Sequence, residues 1–385
     1  YAEHNKWTAK QAKEYLATLL PVLVSMGTEV LYVCDSAYFK ILTKQTKADP
    51  HSGYVLPCAI AGFEHLQVVL GVNYQQLFYN PDLQTKLHAG LAAVSHWLHG
   101  TYTPPGTNIL HHVSYPDTVA DIRHTLQQLH QYDLLACDTE TFSLKVYAAG
   151  LGTIAFATGP HSAVAFRVDM LRTDTESMLI RGLLREFFEH YQGKILWYNA
   201  TFDITILTYA LWMQSLQDIA GMLCGIDHLC RTAEDVMLMT YLATNSCAGN
   251  ELSLKVQAQE FAGNWAQSEI NDITKIPPAD LLRYNAIDTI STWYVYQKHW
   301  PTVQADQQEQ IYREIFMPSV PVIVQMQCTG LPLDMEKVQQ VDAELYAIQQ
   351  QQLQLLQAMP VIQAFQHQLQ VQAMQTTNSK LKVKQ

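Results

Sequence analysis

Leu-Leu-Ala-Cys-Asp-Thr-Glu-Thr, residues 134–141, is an apolar run that ends in two carboxylates one residue apart. The run predicts a buried β-strand, whose side chains alternate between two faces. Asp138 and Glu140 are therefore expected side by side on one face. Because two adjacent anions repel each other, the pair indicates either a solvated strand edge or a cation site, and carboxylate oxygens favour Mg²⁺ or Mn²⁺. The strand alone leaves both interpretations open.

The bulk composition predicts a folded protein with more than one domain. The chain has 385 residues, 48% of them hydrophobic, which is too long for one typical core. No apolar run approaches the roughly 20 residues that span a bilayer, and the N-terminal residues lack the order of a signal peptide. Seven cysteines without a C-x-x-C pair fit a reducing compartment. We expect a cytoplasmic protein with no membrane partner.

The formal net charge of −11 bears on possible partners. Lysine and arginine normally supply phosphate contacts, so this charge argues against tight binding of duplex nucleic acid over the whole surface. It does not exclude a metal site that holds phosphate through cations.

A break rich in proline and glycine at 100–107 predicts the first domain boundary. Helical and strand patterns before it predict a small α/β domain, residues 1–105. After it, an α/β domain with a mixed sheet flanked by helices is expected over 106–300. Its four predicted strands are 133–141, 150–158, 163–168 and 194–199. Residues 301–385 read as further helices, with interruptions near Pro318, Pro321 and Pro360, and the last residues, 380–384, read as an incomplete segment.

Three more residues join Asp138 and Glu140 as candidates for chemistry. Asp203 follows a short strand at a helix start, and Tyr284 and Asp288 share one helical face because they are four residues apart. Taken singly, each acid has an ordinary structural explanation, such as a helix cap or a surface residue. Together they favour a site where two divalent ions, about 3.5–4 Å apart, clamp a phosphodiester while a phenol orients water.

Three motifs stand in order along the chain. They are Asp-Thr-Glu-Thr at 138–141, Asn-Ala-Thr-Phe-Asp at 199–203 and Tyr-Asn-Ala-Ile-Asp at 284–288. As a set they resemble the DEDD 3′–5′ exonucleases with tyrosine in the third motif, and the proofreading domain of family A DNA polymerases. Further likeness lies at 235–238, 252–254, 316–322 and 330–334. The resemblance implies a ribonuclease H-like (DnaQ-like) fold over 106–300 and the start of a polymerase thumb over 301–385.

The resemblance also implies roles for the candidates. Asp138, Glu140 and Asp288 would bind the first of two Mg²⁺ or Mn²⁺ ions, and Asp138 and Asp203 would reach the second. Tyr284 and Glu140 would position the attacking water.

Substrate contacts are implied for three other residues. Asn199 and Phe202 would support the site, and Leu144 would pack near the terminal base of the substrate. Phe142 stands where the family often has another acid, a departure that spares the metal ligands and is expected to alter how the primer end stacks.

The leading hypothesis is a proofreading exonuclease that hydrolyses the terminal phosphodiester of a DNA primer. Its expected partners are a single-stranded or frayed 3′ end, the polymerase palm and fingers, which this chain lacks, and a replisome or processivity partner. Because residues 1–100 do not resemble the 5′ nuclease of cellular relatives and the chain starts at Tyr1, we expect a trimmed phage polymerase acting in a bacterial host. The alternatives are a stand-alone RNase D-like exonuclease and a non-catalytic DNA-binding or docking module.

Overall fold

The structure, a computed structural model, describes residues 8–81, 83–244, 250–265 and 272–380. The chain divides into two compact units, residues 1–329 and residues 330–385. Within the described ranges, no helix is both long enough and apolar enough to cross a membrane. The predicted terminal segment 380–384 lies almost wholly outside the described residues.

A six-stranded mixed sheet is the centre of the first unit, with strand order β4-β7-β6-β5-β8-β9. Strands β5, β6 and β7 form an antiparallel meander, and β8 runs parallel to β5, so the predicted mixed sheet is confirmed. The two edge strands, which have three residues each, were not predicted because they are too short to show a pattern. The strands are β4 (His112–Ser114), β5 (Leu134–Thr141), β6 (Leu151–Gly159), β7 (Ser162–Arg167), β8 (Lys194–Trp197) and β9 (Ala233–Asp235).

Helices cover both faces of this sheet. Those that follow the first domain boundary are α4 (Val119–Leu129), α5 (Asp174–His190), α6 (Ala200–Trp212), α7 (Ile219–Thr232), α8 (Val236–Ala243), α9 (Leu254–Gln257), α10 (Gln259–Ala262), α11 (Pro278–Ala305), α12 (Glu309–Ile311) and α13 (Met317–Thr329). The pattern at 250–261 predicts one helix, but the structure has two short helices there, α9 and α10. Gly263, whose φ is +69°, ends α10.

Alternate residues of the central strands pack into different cores. On β5, Leu135 and Cys137 belong to the core beneath α4–α7, whereas Ala136 belongs to the core beneath α11. Ala155 and Ala157 of β6 also face α11. These small side chains let α11 lie close to the strands, which brings its polar residues to the end of β5.

The N-terminal part is a small α/β module, as predicted. Its sheet has the order β1-β3-β2, from β1 (Val30–Val33), β2 (Val55–Pro57) and β3 (Gln67–Leu70). Its helices are α1 (Ala9–Ser25), α2 (Ser36–Thr43) and α3 (Leu83–Leu98). Tyr54 connects this module to the rest of the unit: its hydroxyl donates to Pro105 O and accepts from Asn264 N, both at 2.9 Å. The boundary at 105 stays a prediction.

The helical segment after α12 differs from its prediction. Pro318 lies in the first turn of α13, where a missing N–H costs no helical hydrogen bond, and Pro321 is accommodated inside the helix. The irregularity lies earlier, in the π-helical turn Tyr312–Phe316. Val320 and Val324 of α13 pack into the core beneath α4–α7. The first unit thus extends past residue 301, where the sequence predicts that a thumb begins.

The second unit consists of α14 (Met335–Ala358) and α15 (Pro360–Lys380). Asp334 caps α14 by accepting from Lys337 N at 3.1 Å. The predicted stop at Pro360 is present, since α14 ends at Ala358 and Pro360 opens the next helix.

Candidate active site

Three carboxylates converge where β5 meets α11. One oxygen each from Asp138, Glu140 and Asp288 lies within 4.8 Å of the other two, and among the described residues this is the one group of three or more potential ligands that meets this test. The alternation along β5 puts Asp138 and Glu140 on the face that α11 covers. The structure thus brings together three of the four acids that the sequence predicts as ligands, and their roles stay predictions.

The environment of this cluster disfavours negative charge. Burial raises the pKa of Asp138 well above its ordinary value, and the nearby Asp203, Asp288 and Glu140 carboxylates raise it further. Burial and Asp288 likewise raise the pKa of Glu140 to about 8. A cation bound among these groups would offset both effects.

Asp203 occupies a different position from the one that a simple four-acid cluster predicts. It lies in the first turn of α6, and one of its oxygens accepts from Thr139 N at 3.1 Å and from Thr139 Oγ1 at 2.6 Å. Thr139 points to the face opposite Asp138 and Glu140, because it lies between them on the strand. Burial raises the pKa of Asp203 to about 7, although the Thr139 hydrogen bonds oppose this shift. Asp203 is not a member of the three-residue group.

The open edge of β5 explains how Asp203 reaches the strand. β8 pairs with β5 only along residues 134–136, so the N–H of Thr139 has no partner in β8. The chain leaves β8 through Asn199, whose φ of 67° is left-handed, and enters α6. Asp235 fixes this helix start, since its carboxylate accepts from Ala200 N at 2.8 Å.

Tyr284 and Asn285 lie on α11 beside the cluster. Asn285 donates to Asp138 Oδ2 at 2.6 Å and accepts from Thr153 Oγ1 at 3.0 Å, which fixes the orientation of its amide. Tyr284 lies one turn before Asp288, as the spacing predicts, and burial raises the pKa of its phenol above the ordinary value. The phenol therefore keeps its proton at neutral pH and can donate a hydrogen bond.

The sequence interpretation missed two residues that bind Asp288. Lys255 Nζ donates to Asp288 Oδ1 at 2.6 Å and also contacts Oδ2, and Trp265 Nε1 donates to Oδ1 at 2.7 Å. Lys255 lies in α9 and Trp265 follows α10, so both lie outside the motifs. The only signal at Lys255 was its place directly after the conspicuous Leu-Ser-Leu at 252–254.

The predicted substrate residues differ in exposure. Leu144 follows β5 and is 83% exposed, so its side chain is accessible to a ligand. Phe202 is partly buried and packs against the core beneath α4–α7. Asn199 accepts from Thr201 Oγ1 at 3.0 Å but makes no capping hydrogen bond to α6. Their contacts with substrate stay predictions.

The donor set fits a hard divalent cation. All three converging groups are carboxylates. Mg²⁺ and Mn²⁺ prefer oxygen ligands, and carboxylates in particular. Burial first, and then the neighbouring carboxylates, raise the pKa values of Asp138 and Glu140, and Lys255 only partly opposes these shifts. The arrangement can bind a metal ion and present it to a phosphate.

A family comparison covers the segment that builds this site. Residues 113–304 match the model of a family described as 3′–5′ exonuclease. This segment is a 3′–5′ exonuclease domain. All three sequence motifs lie inside it, and the expected ribonuclease H-like (DnaQ-like) fold and metal-dependent chemistry of this domain are confirmed. The family A polymerase context rests on the sequence resemblance and stays a prediction.

Several solved structures of low sequence identity are similar to part of this chain. Brucella melitensis NrnC with bound Mg²⁺ is 14% identical, with a TM-score of 0.41 over 57% of this chain and 94% of that chain. The Aedes aegypti Nibbler EXO domain is 17% identical, with a TM-score of 0.34 over 55% and 95% of the two chains. Escherichia coli RNase D is 12% identical, with a TM-score of 0.37 over 57% and 52%. A comparison with curated proteins gives no match.

Proposed function

We propose that the exonuclease domain removes nucleoside 5′-monophosphates, one at a time, from the 3′ end of a single-stranded nucleic acid, with divalent ions bound at Asp138, Glu140 and Asp288. The convergence of these three carboxylates within 4.8 Å is the observation that carries the proposal. A single strand needs few basic contacts along its length, so the net charge of −11 is compatible with this substrate.

Each residue has a defined part in the proposed reaction. When bound, the divalent ions polarise the terminal phosphodiester and activate water as a nucleophile. Asp138 and Glu140 from β5 and Asp288 from α11 would hold the first ion. Asp203 would reach the second ion across the open edge of β5, and Asn285 holds Asp138 in its ligand orientation.

Tyr284 and Glu140 would orient the attacking water. The Tyr284 hydroxyl keeps its proton because burial raises its pKa, so it donates a hydrogen bond to the water oxygen. Leu144, 83% exposed beside the end of β5, would pack against the terminal base. Asn199 and Phe202, at the start of α6, would support the site.

The proposed biological context is proofreading of a DNA primer within a family A polymerase. The stretches at 316–322 and 330–334, which resemble the passage from exonuclease to thumb, support this context. A stand-alone RNase D-like exonuclease is the second candidate, and the family match supports it better because that match covers the exonuclease domain alone, residues 113–304. The two candidates differ in substrate, since proofreading requires a DNA primer end and RNase D-like trimming requires RNA.

One experiment tests the activity and separates the candidates. The full chain is incubated with Mg²⁺ and 5′-labelled single-stranded DNA, single-stranded RNA, and duplex DNA with a matched or mismatched 3′ end. We expect a ladder of products shortened from the 3′ end, and none from the double variant Asp138→Ala, Glu140→Ala. Faster cleavage of mismatched DNA supports proofreading, and preference for RNA supports the second candidate. Binding without cleavage in the wild-type chain would support a non-catalytic module and contradict the proposal.

A further inference from the structure

Lys255 occupies a position that a metal ion would need. Its ammonium contacts both oxygens of Asp288, and Trp265 takes a further position on Oδ1. The Asp288 side chain is only 8% exposed, so water has little access to its carboxylate. A divalent ion shared by Asp138, Glu140 and Asp288 must therefore bind an Asp288 oxygen that Lys255 now holds.

The surroundings of Lys255 hold its ammonium in place without enclosing it. The Tyr284 ring lies 4.5 Å from Nζ and the Trp265 ring 5.0 Å from it, so two aromatic faces flank the cation. Burial opposes the charge of Lys255, but Asp288 and Tyr284 together outweigh burial and raise the pKa of Lys255 above its ordinary value. The side chain remains 35% exposed, which leaves it room to move away from Asp288.

The segment that carries Lys255 and Trp265 is anchored on the N-terminal module. Gln259 Nε2 donates to Asp49 O at 2.9 Å, and Asn264 N donates to Tyr54 Oη at 2.9 Å. Leu254 and Ala262 are buried in the core beneath α11. The backbone around Lys255 is thus fixed, and the motion available lies in the lysine side chain.

From this geometry we infer that Lys255 is a displaceable counter-ion that competes with the divalent cation for Asp288. In the metal-free site it holds the Asp288 carboxylate in its ligand orientation. When a divalent cation binds, Lys255 gives up one Asp288 oxygen and swings toward its exposed side. A divalent ion carries twice the charge of the ammonium and can contact one oxygen of each converging carboxylate, so it displaces Lys255 from an Asp288 oxygen. The inference rests on the proposed metal site.

Calorimetric titration of the full chain with Mn²⁺ alone tests the inference without any substrate. We expect Lys255→Met to bind Mn²⁺ about tenfold more tightly than the wild type, because a competing charge is gone. Lys255→Gln serves as a second neutral variant, and Lys255→Arg should keep an affinity within about threefold of the wild type because it keeps the charge. Trp265→Phe is the matched control, since it removes a hydrogen bond to the same oxygen without removing charge.

The outcomes distinguish this inference from the proposed function. Equal or weaker Mn²⁺ binding in both neutral variants, with circular dichroism unchanged, would overturn the competition while leaving the metal site intact. Equal tightening in Trp265→Phe would also overturn it, because charge would not be the cause. If neither the wild type nor any variant binds Mn²⁺, the proposed metal site itself fails and the inference fails with it.

Discussion

Thr139 donates two hydrogen bonds to a single oxygen of Asp203, one from its backbone N–H at 3.1 Å and one from its hydroxyl at 2.6 Å. This pair joins the middle motif to the first motif through the residue between Asp138 and Glu140. The contact fixes the fourth acid at the edge of β5 that β8 leaves unpaired.

Removing the Thr139 hydroxyl should disturb this junction. We expect Thr139→Val to lower the free energy of unfolding by about 1–3 kcal/mol, since a buried carboxylate loses a hydrogen bond, and to slow hydrolysis. Urea unfolding and the single-strand cleavage assay measure the two effects. Thr232→Val is the matched control, a buried threonine whose hydroxyl bonds within α7. Unchanged hydrolysis in Thr139→Val would show that Asp203 needs no such support.

Tyr284→Phe separates water positioning from metal binding. Asp288 accepts hydrogen bonds from the side chains of Lys255 and Trp265, and the phenol of Tyr284 is not one of these donors. We expect the variant to reduce kcat about 10–100-fold, the usual cost of losing a residue that orients a metal-bound group, with Mn²⁺ affinity unchanged. Steady-state kinetics and calorimetry provide the two readouts. A loss of Mn²⁺ affinity would contradict the assigned role.

Tyr54→Phe tests the connection between the N-terminal module and the exonuclease domain. The variant loses the hydrogen bonds to Pro105 O and from Asn264 N, so we expect the unfolding free energy to fall by about 1–2 kcal/mol. Tyr79→Phe is the control, because Tyr79 is 88% exposed. Equal stability of the two variants in urea would show that the hydrogen bonds of Tyr54 do not stabilise the fold.

His299 predicts a pH dependence of stability. Burial, aided by Lys298, lowers the pKa of His299 from its ordinary 6.5 to about 4, while Glu260 opposes the shift. The folded state therefore favours the neutral ring, whose Nε2 pairs with Gln257 Oε1 at 2.8 Å. Stability from this group is complete above pH 6.5 and is lost as the pH falls toward 4, by up to about 1.4 kcal/mol per pH unit.

The comparison that isolates His299 is with His299→Gln. Urea unfolding of both proteins between pH 4 and 7 should show a steeper loss of stability in the wild type, because other acids titrate equally in both. Parallel curves would mean that folding does not lower the pKa of His299, which would contradict the prediction.

Much of the site follows from local periodicity. Strand alternation places Asp138 and Glu140 on one face, and helical spacing places Tyr284 above Asp288. The small alanines of β5 and β6 then bring the two elements together. These features depend on residues near each other in sequence, which is why the sequence predicts them.

The remaining features depend on contacts between distant segments. Asp203 can accept from the N–H of Thr139 because β8 pairs with only three residues of β5. No local sequence pattern encodes this register. Lys255 reaches Asp288 from α9 and Trp265 reaches it from the turn after α10. Packing against α11 and the N-terminal module positions this segment. Pro318 and Pro321 mislead prediction because Pro318 lies in the first turn of α13 and Pro321 is accommodated inside that helix.

The position of the divalent ion tests the central claim most directly. In a crystal of the full chain soaked with Mn²⁺, the anomalous difference map should place an Mn²⁺ ion bound by an oxygen from each of Asp138, Glu140 and Asp288. The same soak of Asp288→Asn should show a weaker peak or none. An Mn²⁺ ion bound elsewhere, or an empty cluster with Lys255 still on Asp288 at saturating Mn²⁺, would contradict the metal-dependent exonuclease site.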